Sequence, residues 1–260
     1  EDWRWLYETG RRCFDELYMP FFDPEDGLYR GQASFIDIHF ADHKTTGYPL
    51  EWTLSDCVMA KALSTNCLYV QGLRTMATAA KELDHLEDAR RWSAAASDLV
   101  SAIRRELARE DGALAYLKDR WGHLAPRRGA LGIALAVLSG VVTGEEAAAA
   151  VQGYPVTDAG VPLLHPFYDR DDFYHNNSSW PFVDTFFLKG LETIDGVSRT
   201  AQNAALLSTL MMIRAEALEV TGRTAEAREV RLDSLAWGRY GFGSNAAVGA
   251  RLTEVAALAP

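Results

Sequence analysis

Residues 173–187, FYHNNSSWPFVDTFF, crowd aromatic rings, a histidine, two adjacent asparagines and two serines into fifteen positions. Trp180 and Tyr174 offer flat apolar faces, and His175, Asn176 and Asn177 offer donors and acceptors for hydroxyl groups. A core needs the rings but is harmed by unpaired amides, whereas a solvated loop accepts the amides but wastes the rings. Together they suit a ligand that is half apolar face and half hydroxyl edge, as a sugar is. The plainer reading is a helix N-terminus capped by Asn177 or Ser178 with Trp180 and Phe182 buried, and a cap accounts for one of these polar side chains.

Carboxylates form a second group. Asp37, Asp42 and Glu51 fall within 28–54, and DRDD occupies 169–172. Hydrolysis of a glycosidic bond needs a proton donor to the leaving oxygen. With inversion it also needs a base that activates water, which sets the two carboxyl groups about 6.5–9.5 Å apart. The stretch DIHFADH (37–43) has another reading, with Asp37, His39, Asp42 and His43 as metal ligands. No dedicated zinc signature accompanies it, and no metal is expected. GRYGFG (238–243) lacks the Lys-Ser/Thr and the preceding strand of a phosphate loop. No Gly-x-Ser-x-Gly elbow is present to support serine nucleophile chemistry.

The elements that must hold these residues are helices. Apolar residues recur at helical spacing over 3–17, and DPEDG (23–27) ends that run with turn chemistry. Ser55 is a suitable N-cap for a helix running past Leu83, and 86–107, 130–142 and a short segment after Thr143 follow. Further helices are expected at 179–195, 199–219, 224–236 and 246–257. Two long stretches, 28–54 and 153–177, lose the period, and Gly31, Gly47, Pro49, Pro155, Pro162 and Pro166 interrupt them. Irregular segments of this length inside a domain are more often functional than idle. Residues 165–187 hold eight of the 28 aromatic side chains. Strand-like alternation is almost absent. The expectation is an all-α single domain over 1–260, with eight or nine helices in stacked hairpins and two loops that meet at one site.

Composition narrows the partners. A net charge of −10, with no basic patch, argues against nucleic acid. No apolar run approaches the roughly 18 residues that span a bilayer, so no membrane partner is expected. Cys13, Cys57 and Cys67 are an odd, widely spaced set, read as buried free thiols rather than a disulfide framework. The chain opens with EDWRWLY, as if already inside a helix, so a fragment is expected, either cytoplasmic or exported. Oligomeric state is not legible.

Three motifs resemble the six-hairpin, (α/α)6-toroid glycosidases, in particular bacterial members related to trehalases and glucosidases. GLYRGQASFID (27–37) is similar to the loop that bears the acid, and LSTNCLYVQGL (63–73) to the Thr-Asn helix after it. YHNNSSWPFV (174–183) is similar to the segment lining the sugar pocket. The resemblance covers about residues 1–195 and implies inverting hydrolysis of an α-linked glycoside. It places the general acid on Asp37. The base falls on Glu216, or on Glu219, within EALEVTG (216–222) before a Thr-Gly turn. Tyr29, Arg30, Trp52, Asn66, His165, Tyr174, His175, Asn176 and Trp180 would hold the sugar. No cofactor is implied, because the chemistry is proton transfer between oxygens. A closed toroid has twelve helices, so the first hairpins are missing or the chain is a shortened relative. The rival readings are an inactive carbohydrate-binding relative, and another toroid sugar enzyme such as an epimerase.

Overall fold

The computed structural model of the chain describes residues 2–36, 47–157, 160–169, 174–194, 211–212, 214–216 and 218–241, with side chains in the last helix through 232 and at 234. Asp37, His39, Asp42 and His43 lie outside the described residues, as does the helix expected at 246–257.

The first helix, α1 (Trp3–Arg12), continues into a π-turn over Cys13–Leu17, as the apolar spacing requires. The remaining helices are α2 (Leu54–Met59), α3 (Leu63–Glu82), α4 (Leu86–Glu106), α5 (Ala130–Leu138), α6 (Gly144–Gln152) and α7 (Pro181–Glu192). A helical segment over the described part of 211–220 (α8) and α9 (Thr224–Gly241) follow. Among the described residues, six two-residue strands join in antiparallel pairs: β1 (Phe22–Asp23) with β2 (Leu28–Tyr29), β3 (Lys61–Ala62) with β4 (Leu117–Lys118), and β5 (Arg128–Gly129) with β6 (Leu164–His165). The class is all-α, built of helical hairpins in the manner of an (α/α) toroid. Among the described residues no helix is long and apolar enough to cross a membrane.

The single helix expected after Ser55 is divided. Thr53, not Ser55, caps α2, forming a reciprocal box with Asp56. The helix then breaks at Ala60, and Lys61 and Ala62 pair with β4 before α3 begins. The break buries Lys61, whose ammonium pairs with Asp23 and Asp26. An amphipathic period cannot reveal such an interruption, because Ala60 and Ala62 are apolar in either geometry.

Packing orders the helices. α3 and α4 form one hairpin, α5 lies against both α3 and α7, and α6 covers α5. α5 reads as apolar on every side, and its residues from Ala130 to Val137 are all buried. Gly132 lets α5 approach Leu63 of α3, since a Cβ there would sit 3.3 Å from Leu63 Cδ2. On the outer side of α3, Phe14 packs against Trp92, and the Tyr7 hydroxyl donates to Asp88 of α4. Cys57 and Cys67 are buried and all three cysteines are free. Burial pushes the Cys67 thiol up to about 12.

Candidate active site

The N-termini of α3, α5 and α7 converge, and a recess lies where they meet. It is lined by Ser64 of α3, Gly129, Leu131 and Gly132 around the start of α5, and Trp180, Phe182 and Val183 at the start of α7. The other walls are Ala33, Ser34, Phe35 and Ile36 from the first irregular stretch, Tyr116 before β4, and Leu163 before β6. The recess holds about 20 Å³. One water needs roughly 10–15 Å³ on the same measure, so a hydroxyl fits inside and a sugar ring does not.

The two irregular stretches do meet. Ile36 and Trp180 share the recess, and Phe35 packs edge-on against Phe182 at 4.9 Å. Behind them Gly47 (φ +83) sits between Ile36 and His175, where a Cβ would fall 2.6 Å from Ile36 Cγ2. Ile36 immediately precedes Asp37, which is itself outside the described residues.

The first turn of α3 holds the 29–36 segment in place. Asn66 accepts the Tyr29 N–H at 2.8 Å and donates to the Tyr29 carbonyl at 3.0 Å and the Ala62 carbonyl at 2.9 Å. Thr65 donates to the Gln32 carbonyl at 2.6 Å and lies 3.1 Å from the Ser34 hydroxyl. Ser64 accepts the Ser34 N–H at 3.0 Å, and the Tyr48 hydroxyl accepts the Ala33 N–H at 2.9 Å. Asn66 is fully buried, so its amide aligns the loop instead of facing a ligand.

On the other side, the YHNN segment is stitched to β6 and its surroundings. Leu163 N–H donates to the Ser178 carbonyl and Leu164 N–H to the Asn176 carbonyl. Asn176 binds both backbone groups of Tyr168, accepting its N–H at 2.7 Å and donating to its carbonyl at 2.8 Å. His175 is fully buried beneath Trp180, with ring centroids 5.0 Å apart. Tyr174 is exposed and lies 5.2 Å from the Trp180 ring. Trp180 occupies the N-cap position of α7 with Pro181 next, so neither Asn177 nor Ser178 is the cap. Asp184, in the first turn of α7, accepts the Val161 N–H at 2.8 Å and the Ser179 hydroxyl at 2.7 Å. Burial outweighs those two hydrogen bonds and raises its carboxyl above the usual range.

Of the residues expected to hold a sugar, Trp180 lines the recess and Tyr174 adjoins it. The others have different surroundings. Tyr29 is buried and stacks on Tyr69 at 3.8 Å, and Arg30 pairs with Asp23. Trp52 is half-buried between Tyr48 and Trp121. His165 packs against Tyr154 at 6.2 Å, and desolvation with the nearby Arg128 lowers its pKa. Asn66, His175 and Asn176 are buried behind the walls. Spacing missed Ser34, Ser64 and Tyr116, because nothing local in the sequence marks which loop residues share a cavity.

The expected base has no described contact with the recess. Glu216 is exposed on α8, and Arg214 two residues earlier pairs with Glu192 at 3.6 Å. Glu192 ends α7, about 18 Å along the helix from Trp180 at 1.5 Å per residue. The Glu219 carboxylate is taken by Arg231 at 2.7 and 3.1 Å, which lowers its pKa and makes it a poorer base. Glu51 is exposed. Among the described residues no group of three or more His, Cys, Asp or Glu side chains is arranged to hold a metal ion.

A family model described as a mannosylglycerate hydrolase MGH1-like glycoside hydrolase domain matches residues 37–233. Solved structures similar to this chain include a GH78-family rhamnosidase of Bacillus sp. GL1, with a TM-score of 0.51 and 17% sequence identity. That match covers 87% of this chain and 19% of the rhamnosidase, so the chain spans about a fifth of that protein's length. No curated protein matches the sequence.

Proposed function

The chain belongs to the family of mannosylglycerate hydrolase MGH1-like glycoside hydrolase domains, and on that premise we propose that it hydrolyses an α-linked glycoside with inversion at the anomeric carbon. The observation that carries the reading is the shared recess. Ile36, next to Asp37, and Trp180 line one cavity at three converging helix N-termini. In this reading Trp180 is the apolar platform for the sugar ring, with Tyr174 beside it. Asp37, which follows Ile36 of the recess wall, is assigned by the resemblance to protonate the leaving oxygen. Glu216 is assigned as the base by the family resemblance, and of the two candidates it is the one whose carboxylate is not taken by Arg231. The substrate is a carbohydrate, and mannosylglycerate, named in the family description, is the first to assay. The chemistry calls for no cofactor, since every step moves a proton between oxygens.

The test is the stereochemistry of hydrolysis. Mannosylglycerate and an α-mannosyl fluoride are incubated with the protein, and the first-formed sugar is read by proton NMR. The β-anomer is expected. An α-anomer as first product sinks inversion, and no release from either substrate sinks the hydrolase reading. Asp37→Asn should lower turnover of mannosylglycerate by about 10²–10⁴-fold and spare much of the fluoride hydrolysis, because fluoride leaves without a proton donor. Equal losses on both remove Asp37 as the acid. Glu216→Gln should abolish turnover of both, and wild-type rates would dismiss Glu216.

A further inference from the structure

Trp180 stands at the N-cap position of α7, where no side chain caps the helix. Its place is fixed from one turn further on, by Asp184. The Asp184 backbone N–H donates to the Trp180 carbonyl at 3.0 Å, and the Asp184 carboxyl accepts the Ser179 hydroxyl at 2.7 Å. Two bonds to one residue thus hold the chain on either side of the Trp180 Cα. The other carboxyl oxygen accepts the Val161 N–H at 2.8 Å. Two residues on, the Leu163 N–H donates to the Ser178 carbonyl at 2.9 Å. Leu163 and Trp180 both line the recess, so one carboxyl joins two of its walls.

Gly160 makes the approach possible. It has φ +117, and a Cβ there would meet Ser179 Oγ and lie 2.5 and 2.7 Å from the two Asp184 carboxyl oxygens. Asp184 is 2% exposed, and its hydrogen bonds do not offset the cost of burying a carboxyl. An apolar side chain of similar size would spare the fold that cost, but would leave the Val161 N–H and the Ser179 hydroxyl without the acceptor they share. What the carboxyl supplies is geometry: two acceptors on one rigid helix turn, each holding a different segment of the recess.

We infer that Asp184 is a positioning residue of this site, acting through Ser179 and Val161 to hold the Trp180 ring in register with the wall at Leu163. The inference rests on the glycoside-hydrolase reading and adds to it how the platform for the sugar is set. Asp184 does not itself line the recess, whereas Val183 beside it does.

The experiment is a double-mutant cycle between Asp184→Ala and Trp180→Ala, with Asp184→Asn as the conservative variant. KM and kcat are measured for mannosylglycerate and α-mannosyl fluoride, with thermal melts on the same samples. Both substrates present the same ring, so Asp184→Ala should raise KM for both by about three- to tenfold and change kcat little. In the Trp180→Ala background the same change should raise KM no further, because the ring it positions is gone. Asp184→Asn should return KM to the wild-type value, since its amide oxygen accepts the Val161 N–H and its nitrogen donates to Ser179 Oγ. If Asp184→Ala does not fold, Ser179→Ala removes one partner of the carboxyl and should show the same dependence on Trp180. Increases in KM that multiply in the double variant would make the two residues independent and overturn the inference. So would a KM in Asp184→Asn as high as in Asp184→Ala. A lower melting temperature with unchanged KM would make Asp184 a purely structural residue and overturn the inference alone, with hydrolysis by the wild type still standing. A wild type that hydrolyses neither substrate would overturn it together with the proposed function.

Discussion

Asn176 uses both ends of its amide on one residue, Tyr168, and so fixes how the second irregular stretch folds back beneath Trp180. Asn176→Asp keeps the acceptor for the Tyr168 N–H but turns a second oxygen toward the Tyr168 carbonyl. Losing that hydrogen bond and setting two oxygens against each other should cost about 1–3 kcal/mol of stability, read as a lower urea midpoint. An unchanged midpoint would show that this hydrogen bond does not hold the segment. Trp180 differs, since it is half-buried at the mouth of the recess rather than behind it. Trp180→Ala should therefore cost less than the roughly 3–5 kcal/mol of a fully buried aromatic. It should also raise the Michaelis constant for mannosylglycerate several-fold, because the flat face for the sugar is gone. A full core-sized loss of stability with an unchanged Michaelis constant would place the ring in the core and not in the site.

At the scale of elements, the first turn of α3 aligns the loop that leads to Asp37. Three consecutive side chains, Ser64, Thr65 and Asn66, hold its backbone at Tyr29, Gln32 and Ser34. Thr65→Val keeps the shape and removes the hydroxyl. Turnover of mannosylglycerate should fall about tenfold or more, since small misplacements of an acid are costly. Hydrolysis of the fluoride should fall far less, and Thr65→Ser should restore both. Parallel losses on the two substrates would reduce Thr65 to a fold-supporting residue. The first turn of α7 carries a pH signature. The Asp184 carboxyl has a raised pKa in the fold, so its contribution to stability is full below the unfolded value, about 3.9, and is lost as pH rises through the folded value. The difference in melting temperature between wild type and Asp184→Asn should shift against wild type over that rise. A difference that does not change with pH would mean the carboxyl titrates as it does in the unfolded chain.

Across the whole molecule, one buried ion cluster ties distant parts of the chain together. Lys61 pairs with Asp23 and Asp26, Lys118 with Asp26 and Glu106, and Arg30 with Asp23. The segment before β2, the β3–β4 pair and the end of α4 meet there. Burial alone would raise both aspartates, but the hydrogen bonds from Lys61, and for Asp26 also from Lys118, hold them below the usual range. Carboxyls depressed in the fold contribute stability above their unfolded pKa and lose it as pH falls through the folded value. Wild type should therefore lose melting temperature steeply below about pH 4. Lys61→Met leaves two buried carboxylates without their main partner and should cost about 3–5 kcal/mol at neutral pH. The gap in stability between the variant and wild type should narrow as pH falls, because the variant's aspartates, left to burial, take up protons more readily in the fold. A variant as stable as wild type at pH 7, with the same acid profile, would show the cluster to be energetically idle.

Burial on one face imposes a period that survives in single residues such as Trp92, Leu99 and Ile103 of α4, so most of the described helices are legible in the sequence, though the break at Ala60 is not. The sequence by itself also determined that the two aperiodic stretches matter, and that rings and short polar side chains gather in the second. The tertiary structure decided which of those side chains face the recess. Asn66 and Asn176 look the same in sequence as ligand-binding amides, and only the backbone groups brought to them across 37 and 8 residues show that they are bound within the fold. Ser64 carries the opposite lesson. Nothing in KALST marks it, and it becomes notable only when three helix ends meet around one recess. Local periodicity reports burial, which is a property of one element. A binding site depends on which atoms from several elements remain unpaired at one point, and that is fixed by packing alone.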